Sequence, residues 1–402
     1  MRRKIKRSLN RALCHWACNG PAAGVGTWVL GLFGKKPAPL KKLQDVASQV
    51  ATLAPASTYR VEAPRWNGEG SRVNDGKFPP ILARKIKDVT FTINSSVFLI
   101  EDNLYISNRV GPSRSGQIFI HDNLCFIENK TAVSLSAKRQ SISDGIFIGG
   151  SGATNWYHFV IECLPKAYLA QKLPAEFDHL PLLVPQECAA IPSFRDALAV
   201  FSAGRDVKFL KASIQYSARE LIVIDDVSVT PFNFMNGKWP EIHDFIQHDA
   251  ELLRFVDAFR SQLLPEAQPI KSGRKIFLKR PPHQRLSNQD EIITISERYG
   301  FEAVSPETLS LKEQAELFAS ADAIAGMSGS AWVGMIFRDR PMKGICMVPS
   351  VFSEVCCFSS PASLLGHHLD YIDAEPDKPL VSTTQATSLV SYSVCPDNFE
   401  AT

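Results

Sequence analysis

Hydrophobic and polar positions change their rhythm along the chain. From residue 81 to 150, apolar residues come in short runs at 89–93, 96–100, 104–106, 117–120, 124–127 and 145–148. Polar turn sequences such as Glu101-Asp102-Asn103 and His121-Asp122-Asn123 separate them. Runs of that length and spacing predict strands joined at hairpin distance. After Gly149-Gly150 the period lengthens. The spacing predicts a helix over 155–173, a strand at 180–184, a helix over 193–202 and strands at 207–210 and 221–224. At 241–264, Ile242, Phe245, Ile246, Leu252, Leu253, Val256 and Phe259 fall on one face of a single long helix.

After a linker over 265–273 the alternation becomes strict. Strands at 275–279, 301–304, 322–325, 344–348 and 368–372 alternate with helices at 288–299, 311–320 and 330–337. Gly300 stops the first helix, and Ser310 with Glu313 forms a capping box for the second. Strand–helix alternation with short links requires right-handed crossovers, and hence a parallel sheet covered by helices. The expected fold class is therefore α/β, with two Rossmann-like lobes facing a cleft and a β-rich region added to the first lobe. The expected divisions are a basic arm and linker over 1–80, a first lobe over 81–268, a second over 269–375 and a tail over 376–402.

Composition supports two cores. The chain has 402 residues, of which 45% are hydrophobic and 21% charged, which excludes a wholly disordered chain. Charge is unevenly placed. Residues 1–44 hold ten of the 44 Lys and Arg and none of the 41 Asp and Glu, leaving the remainder acidic by 7. An acidic body excludes a nucleic-acid footprint there. The apolar stretch within the arm, residues 21–33, is shorter than the roughly 20 residues that span a bilayer. Basic charge beside Trp16, Trp28, Leu30 and Phe33 instead suits either peripheral contact of residues 1–42 with an anionic membrane surface or a disordered tail. Nine scattered cysteines, without zinc-site spacing, indicate reduced thiols and a cytoplasmic location.

Ligands of open α/β sheets bind beyond the carboxyl ends of the strands. There, in the second half, Lys279-Arg280 and then His283 and Arg285 precede Asn288 at the start of a helix. Further on, Ser328-Gly329-Ser330 joins a strand to the next helix. Guanidinium groups, backbone amides and hydroxyls gathered on one edge suit a phosphate or diphosphate, although each loop alone also suits a solvated surface. In the first half, His158 and Glu162 are four residues apart on a predicted helix and share a face. Such a pair either serves as a general base oriented by a carboxylate or fastens the core. No Walker motif, dinucleotide fingerprint or paired-carboxylate metal motif is present.

The stretch Asn155-Trp156-Tyr157-His158-Phe159-Val160-Ile161-Glu162-Cys163-Leu164-Pro165 resembles the N-Y-Y-H-W-x-x-E-x-L-P signature of glycosyltransferase family 61. Ile276-Phe277-Leu278-Lys279-Arg280 with Arg285 and Asn288 is similar to that family's "Y-I-S-R … R-x-x-N-E" block. Gly300-Phe301 followed by Ser310-Leu311, Gln314, Leu317-Phe318 and Ala321 is similar to its next block. The resemblance covers about 145–350, with departures. The family's H-G-A-G-L-x-N stretch reads Ser328-Gly329-Ser330-Ala331-Trp332-Val333-Gly334, so its histidine and asparagine positions hold Ser328 and Gly334.

The resemblance implies a GT-B type, inverting, metal-independent glycosyltransferase. It would take a nucleotide-sugar donor and a glycan or lipid-linked glycan acceptor of a capsule or other surface polysaccharide. His158 would act as base with Glu162. Arg280, Arg285, Asn288, Ser328, Gly329 and Ser330 would hold the donor, and Asn155, Trp156, Glu313 and Gln314 would line the cleft. Trp66, Trp156, Trp239 and Trp332 are of a type that stacks on sugars, although core burial is commoner. Pyruvyl transfer to polysaccharide, and a degenerate glycan- or nucleotide-binding protein, are the alternative readings.

Overall fold

The computed structural model describes residues 35–70, 72–106, 124–128, 131–135, 138–230, 240–264, 271–280, 286–377 and 391–401. The apolar run at 117–120, the arm up to residue 34, Trp239, His283 and Arg285 lie outside the described residues.

The second half follows from its alternating pattern. Each expected element between 274 and 373 is present with ends shifted by two residues at most, although Ser330–Phe337 is a 3-10 helix rather than an α-helix, and the helix Ser359–Leu364 and the 3-10 turns Pro306–Thr308 and Ser350–Phe352 were not expected. The sheet order is Phe301–Val304, Arg274–Leu278, Ala321–Met327, Lys343–Val348, His368–Asp373 and Arg65–Trp66, with every pairing parallel. Strands such as Ala321–Met327 are buried on both faces because helices cover the sheet on either side.

The sixth strand comes from the region read as linker. Residues 35–78 contain five strands, of which Ser48–Ala54 pairs with Ile81–Phe91 in the first sheet and Arg65–Trp66 completes the second. Their inward positions are sparse. Val61 is the buried residue of Ser57–Glu62, so the polar outer face masks the alternation in the sequence. The tail is also built in. Tyr392, Val394 and Phe399 join the core of Phe277, Ile292 and Ile372, and the Asn288 amide clamps both the amide and the carbonyl of Val394, at 3.1 and 2.9 Å.

Among the described residues the first sheet has twelve strands. Val207–Leu210, Leu182–Pro185, Gly145–Phe147 and Ile214–Ile224 run parallel, and Ile81–Phe91 attaches antiparallel hairpins to them. The long helix expected over 241–264 is broken into a 3-10 turn Ile242–Asp244, a two-residue strand Ile246–Gln247 and a helix Asp249–Leu263. His248 causes the restart: its Nδ1 accepts the Glu251 amide at 3.1 Å as the helix cap. Ile242 and Phe245 therefore leave the face of Leu252 and Val256 and pack with Val61 and Ala63.

One apolar cluster joins both halves, running from Ile146, Phe159 and Leu164 to Ile276, Phe318 and Trp332. The halves are thus fused through a shared core over part of their contact, where a cleft was expected. Arg260 adds a polar tie by donating to the carbonyls of Ile336 and Arg338 across the junction. Among the described residues no helix is long and apolar enough to cross a membrane.

Candidate active site

In the first half, strand Gly145–Phe147 leads into the turn Gly149-Gly150-Ser151-Gly152, which delivers helix Trp156–His158 to the carboxyl edge of the parallel strands. The Asn155 side chain starts that helix by accepting the Tyr157 amide at 3.0 Å. Gly152 has φ +81, and a Cβ on it would lie 2.8 Å from Cγ of His158, so the turn can close over the imidazole only as glycine. The chain then passes through a π-helical turn, Phe159–Cys163, before helix Leu164–Ala170. Such turns recur at functional sites because they re-aim side chains within a helix.

This geometry joins His158 and Glu162. His158 Nδ1 lies 2.7 Å from Glu162 Oε2, with both residues 8% exposed, and Glu162 Oε1 accepts the Thr230 amide at 2.6 Å. One helical turn on, Lys166 is 4% exposed. Its ammonium sits 2.6 Å from Asp226 and donates to the Gly149 carbonyl at 3.2 Å. Burial is the largest single effect and opposes the ammonium, but the Asp226 carboxylate, with smaller effects from Cys163 and Glu162, holds the lysine above its ordinary value. Burial pushes the neighbouring Cys163 thiol up to about 12, leaving it inert.

In the second half, strand Arg274–Leu278 ends at Arg280. Its amide donates to Gln289 Oε1 at 2.7 Å, and its carbonyl accepts from Gln289 Nε2 at 3.0 Å. The Arg280 guanidinium reaches the Ser328 carbonyl at 3.4 Å and lies on Gly329, where a Cβ would come within 2.3 Å of Nη2. Gly329 is extended, so close approach rather than backbone angle requires glycine there. The Ser328 amide donates to the Met347 carbonyl at 2.8 Å, fastening this corner to the adjacent strand.

The two carboxyl edges meet. Helix Trp156–His158 packs on the 3-10 helix Ser330–Phe337. The Tyr157 hydroxyl donates to the Cys357 carbonyl, and its ring stands edge-on to Phe358 at 5.4 Å. Burial, then the nearby Cys357 thiol and Glu162 carboxylate, push the Tyr157 phenol well above its ordinary value. Burial and Cys357 likewise raise the Cys346 thiol, against an opposing pull from Arg280. Tyr157 therefore ties the helix of His158 and Glu162 to Cys357, while Arg280, with Ser328 and Gly329 against its guanidinium, sits at the carboxyl edge of the second sheet.

Other residues singled out from the sequence have separate partners. The Glu313 carboxylate accepts the Ser310 amide at 2.8 Å as the helix cap, and Gln314 donates to Ser193 Oγ and the Leu309 carbonyl, both at 3.0 Å. Asn288 holds the tail. Trp156 leans on Phe194 with ring centroids 5.0 Å apart, Trp66 on Tyr371 at 5.8 Å, and Trp332 is fully buried. Sequence reasoning missed Lys166, Asp226 and Gln289. Lys166 was readable as the next step of the His158–Glu162 spacing, whereas Asp226 lies 60 residues from it.

The parallel strands covered by helices make this a mixed α/β protein. A family model described as Glycosyltransferase 61 matches residues 156–348, from the helix carrying His158 to the end of strand Lys343–Val348. Over that span the chain belongs to glycosyltransferase family 61, and the protein is a glycosyltransferase. No curated protein matches the chain.

Proposed function

We propose that the protein moves a sugar from a nucleotide-sugar to a hydroxyl of a surface-polysaccharide or lipid-linked glycan, by one inverting displacement in a GT-B arrangement. The observation that carries this reading is the junction just described, where the helix bearing an imidazole–carboxylate pair packs on the 3-10 helix that follows the glycine–serine corner seating a guanidinium. With Nδ1 held by Glu162, His158 takes the acceptor hydroxyl proton on Nε2. The acceptor oxygen bonds to the anomeric carbon as the bond from that carbon to the diphosphate oxygen breaks. Arg280 and the amides of Gly329 and Ser330 counter the charge on the departing nucleoside diphosphate. That assigns to a protein cation the role a metal plays elsewhere. The acid-free basic sequence at 1–42 supports work at the inner face of a membrane, and the free thiols among the described residues support a cytoplasmic enzyme.

The test is release of UDP from UDP-xylose, UDP-arabinose and UDP-N-acetylglucosamine. His158→Ala lowers turnover by about 10²- to 10⁴-fold while UDP binding measured by calorimetry is unchanged. Equal turnover by variant and parent removes His158 from the mechanism. UDP-sugar binding to the parent without release replaces transfer with a binding role.

A further inference from the structure

The His158 imidazole and the Arg280 guanidinium belong to different halves of the fold, so their separation has to be held by something that crosses the junction. Group transfer tolerates little play there, because a displacement of about 1 Å can cost on the order of 10² in rate. The shared core supplies a continuous row of rings at this crossing. The imidazole stands edge-on to the Tyr157 ring, with centroids 5.6 Å apart. Tyr157 stands edge-on to Phe358 at 5.4 Å, and Phe358 leans on Trp332 at 6.2 Å. Trp332 closes the row on the glycine–serine corner. Its indole Nε1 donates to the Met327 carbonyl at 3.3 Å, and its amide donates to the Gly329 carbonyl at 3.1 Å. Gly329 in turn carries the Arg280 guanidinium.

We infer that Tyr157, Phe358 and Trp332 form an aromatic strut, three positioning residues that set the distance from the His158 imidazole to the Arg280 seat. This rests on the reading of those two groups as base and donor anchor.

Burial and stiffness suit that role. Trp332 is fully buried and Tyr157 and Phe358 are 5% and 8% exposed, so the three rings serve the interior rather than stack on a sugar. Aromatic rings have no internal torsions, and pairs at these centroid distances hold defined angles. In a close-packed interior such a row passes a displacement at one end to the other. Its surroundings are fitted to it. A Cβ on Gly344 would press on the indole at 3.2 Å, and the Tyr157 hydroxyl pins the row to the Cys357 carbonyl of the second half. Trp332 stands at the leucine of the H-G-A-G-L-x-N stretch, so the strut is a feature of this chain rather than of the family pattern.

The decisive variant is Phe358→Leu, because Phe358 is the middle link and lies one ring away from either end. The control is Phe255→Leu, which truncates a fully buried ring of helix Asp249–Leu263 that packs on Phe201 at 5.4 Å, outside the row. Both variants lower the unfolding temperature. Phe358→Leu alone should lower kcat for UDP release from the same three UDP-sugars, by about 10- to 10²-fold. Its KM, and its affinity for UDP in calorimetry, should stay at parent values. The ¹⁵N resonances of the His158 ring, assigned by their absence from His158→Ala, provide a readout that needs no substrate. They should move in Phe358→Leu and stay in place in Phe255→Leu. If Phe358→Leu does not fold, Trp332→Phe, which keeps a ring but shortens the row, takes the same measurements with the same expected directions.

Parent resonances in the strut variant overturn the proposal whatever the rate, and so does a fall in kcat that Phe255→Leu shares. Moved resonances with the parent rate overturn it as well, since position would then have no consequence. Where no UDP-sugar is turned over, the resonances alone decide. If they move and kcat falls while His158→Ala turns over as the parent does, the strut stands and the base assignment falls.

Discussion

The two carboxyl edges that meet at the site are built on opposite plans. The first-half edge is made of side chains from one helical segment, His158, Glu162 and Lys166, whose charges are paired within 2.7 Å and buried. The second-half edge is mostly backbone. Arg280 rests on Gly329 there, and Gln289 grips its amide and carbonyl. An edge that handles a proton needs a fixed charge pattern, because a small displacement changes who holds the proton. An edge that receives a diphosphate needs room and donors, which glycine and main-chain amides supply without bulk. The difference teaches that the two halves build their edges in different ways on a shared strand–helix scaffold, as the proposed division of roles requires.

Their histidines sharpen the contrast. His158 faces a carboxylate. His367, in the second half, gives its Nε2 hydrogen to the Met335 carbonyl at 3.2 Å, and burial, helped by Arg260 and Arg338, lowers it to about 4. The folded protein thus resists protonating a group that the unfolded chain protonates near 6.5. Between those values the unfolded state binds more protons, so stability is complete above about 6.5 and declines as the pH falls toward 4. The loss attributable to this residue amounts to up to about 3 kcal/mol. In His367→Gln, where the amide can still donate to Met335, urea unfolding between those pH values should lose that part of its slope. An unchanged slope would remove His367 from the contrast.

The departure from the family pattern at Gly334 tests whether the second-half edge tolerates side chains. A Cβ there would lie 2.1 Å from the Phe318 ring. Restoring the family's residue in Gly334→Asn should therefore destabilise the fold by about 1–3 kcal/mol, read as a lower unfolding midpoint. Adding Phe318→Leu should recover part of the loss. A Gly334→Asn variant as stable as the parent would mean that this corner repacks freely.

Gly329→Ala addresses the guanidinium seat. The clash falls on the far end of the flexible Arg280 side chain, so the protein should fold normally while Arg280 is displaced. Losing one charge-assisted contact to a diphosphate should weaken UDP binding roughly tenfold in calorimetry. Arg280→Gln should weaken it to a similar degree, and the double variant little further, because both changes remove the same contact. Additive losses would separate the guanidinium from the glycine.

Much of this was legible in the sequence. The strict alternation after 275 gave the second sheet, Ser310 and Glu313 gave their cap, and the four-residue spacing gave the His158–Glu162 contact. What escaped was non-local. Arg65–Trp66 pairs with a strand some 300 residues away, and a two-residue strand has no period to detect. His248 ends one element and begins another through a side-chain cap, which an apolar stripe cannot reveal. Asp226 is recognisable as a partner of Lys166 only once Ile214–Ile224 lies beside Gly145–Phe147.

The smallest expected effect decides where the site ends. Gln314 stood in the sequence beside Glu313 as a substrate-facing residue, yet its amide bridges the halves from helix Leu311–Ser320 to Ser193 of helix Pro192–Phe201. A residue that ties two elements by neutral hydrogen bonds affects stability, whereas one that touches substrate affects KM. Gln314→Ala removes two bonds to half-buried partners and should lower stability by about 1 kcal/mol, measured by urea unfolding. The kcat and KM for UDP release should remain at parent values. Glu313→Ala should behave alike with a smaller shift in unfolding, since its carboxylate is exposed and serves the cap. A raised KM in either variant at unchanged stability would extend the site along Leu311–Ser320, and the guanidinium corner would then be one part of a longer second-half surface.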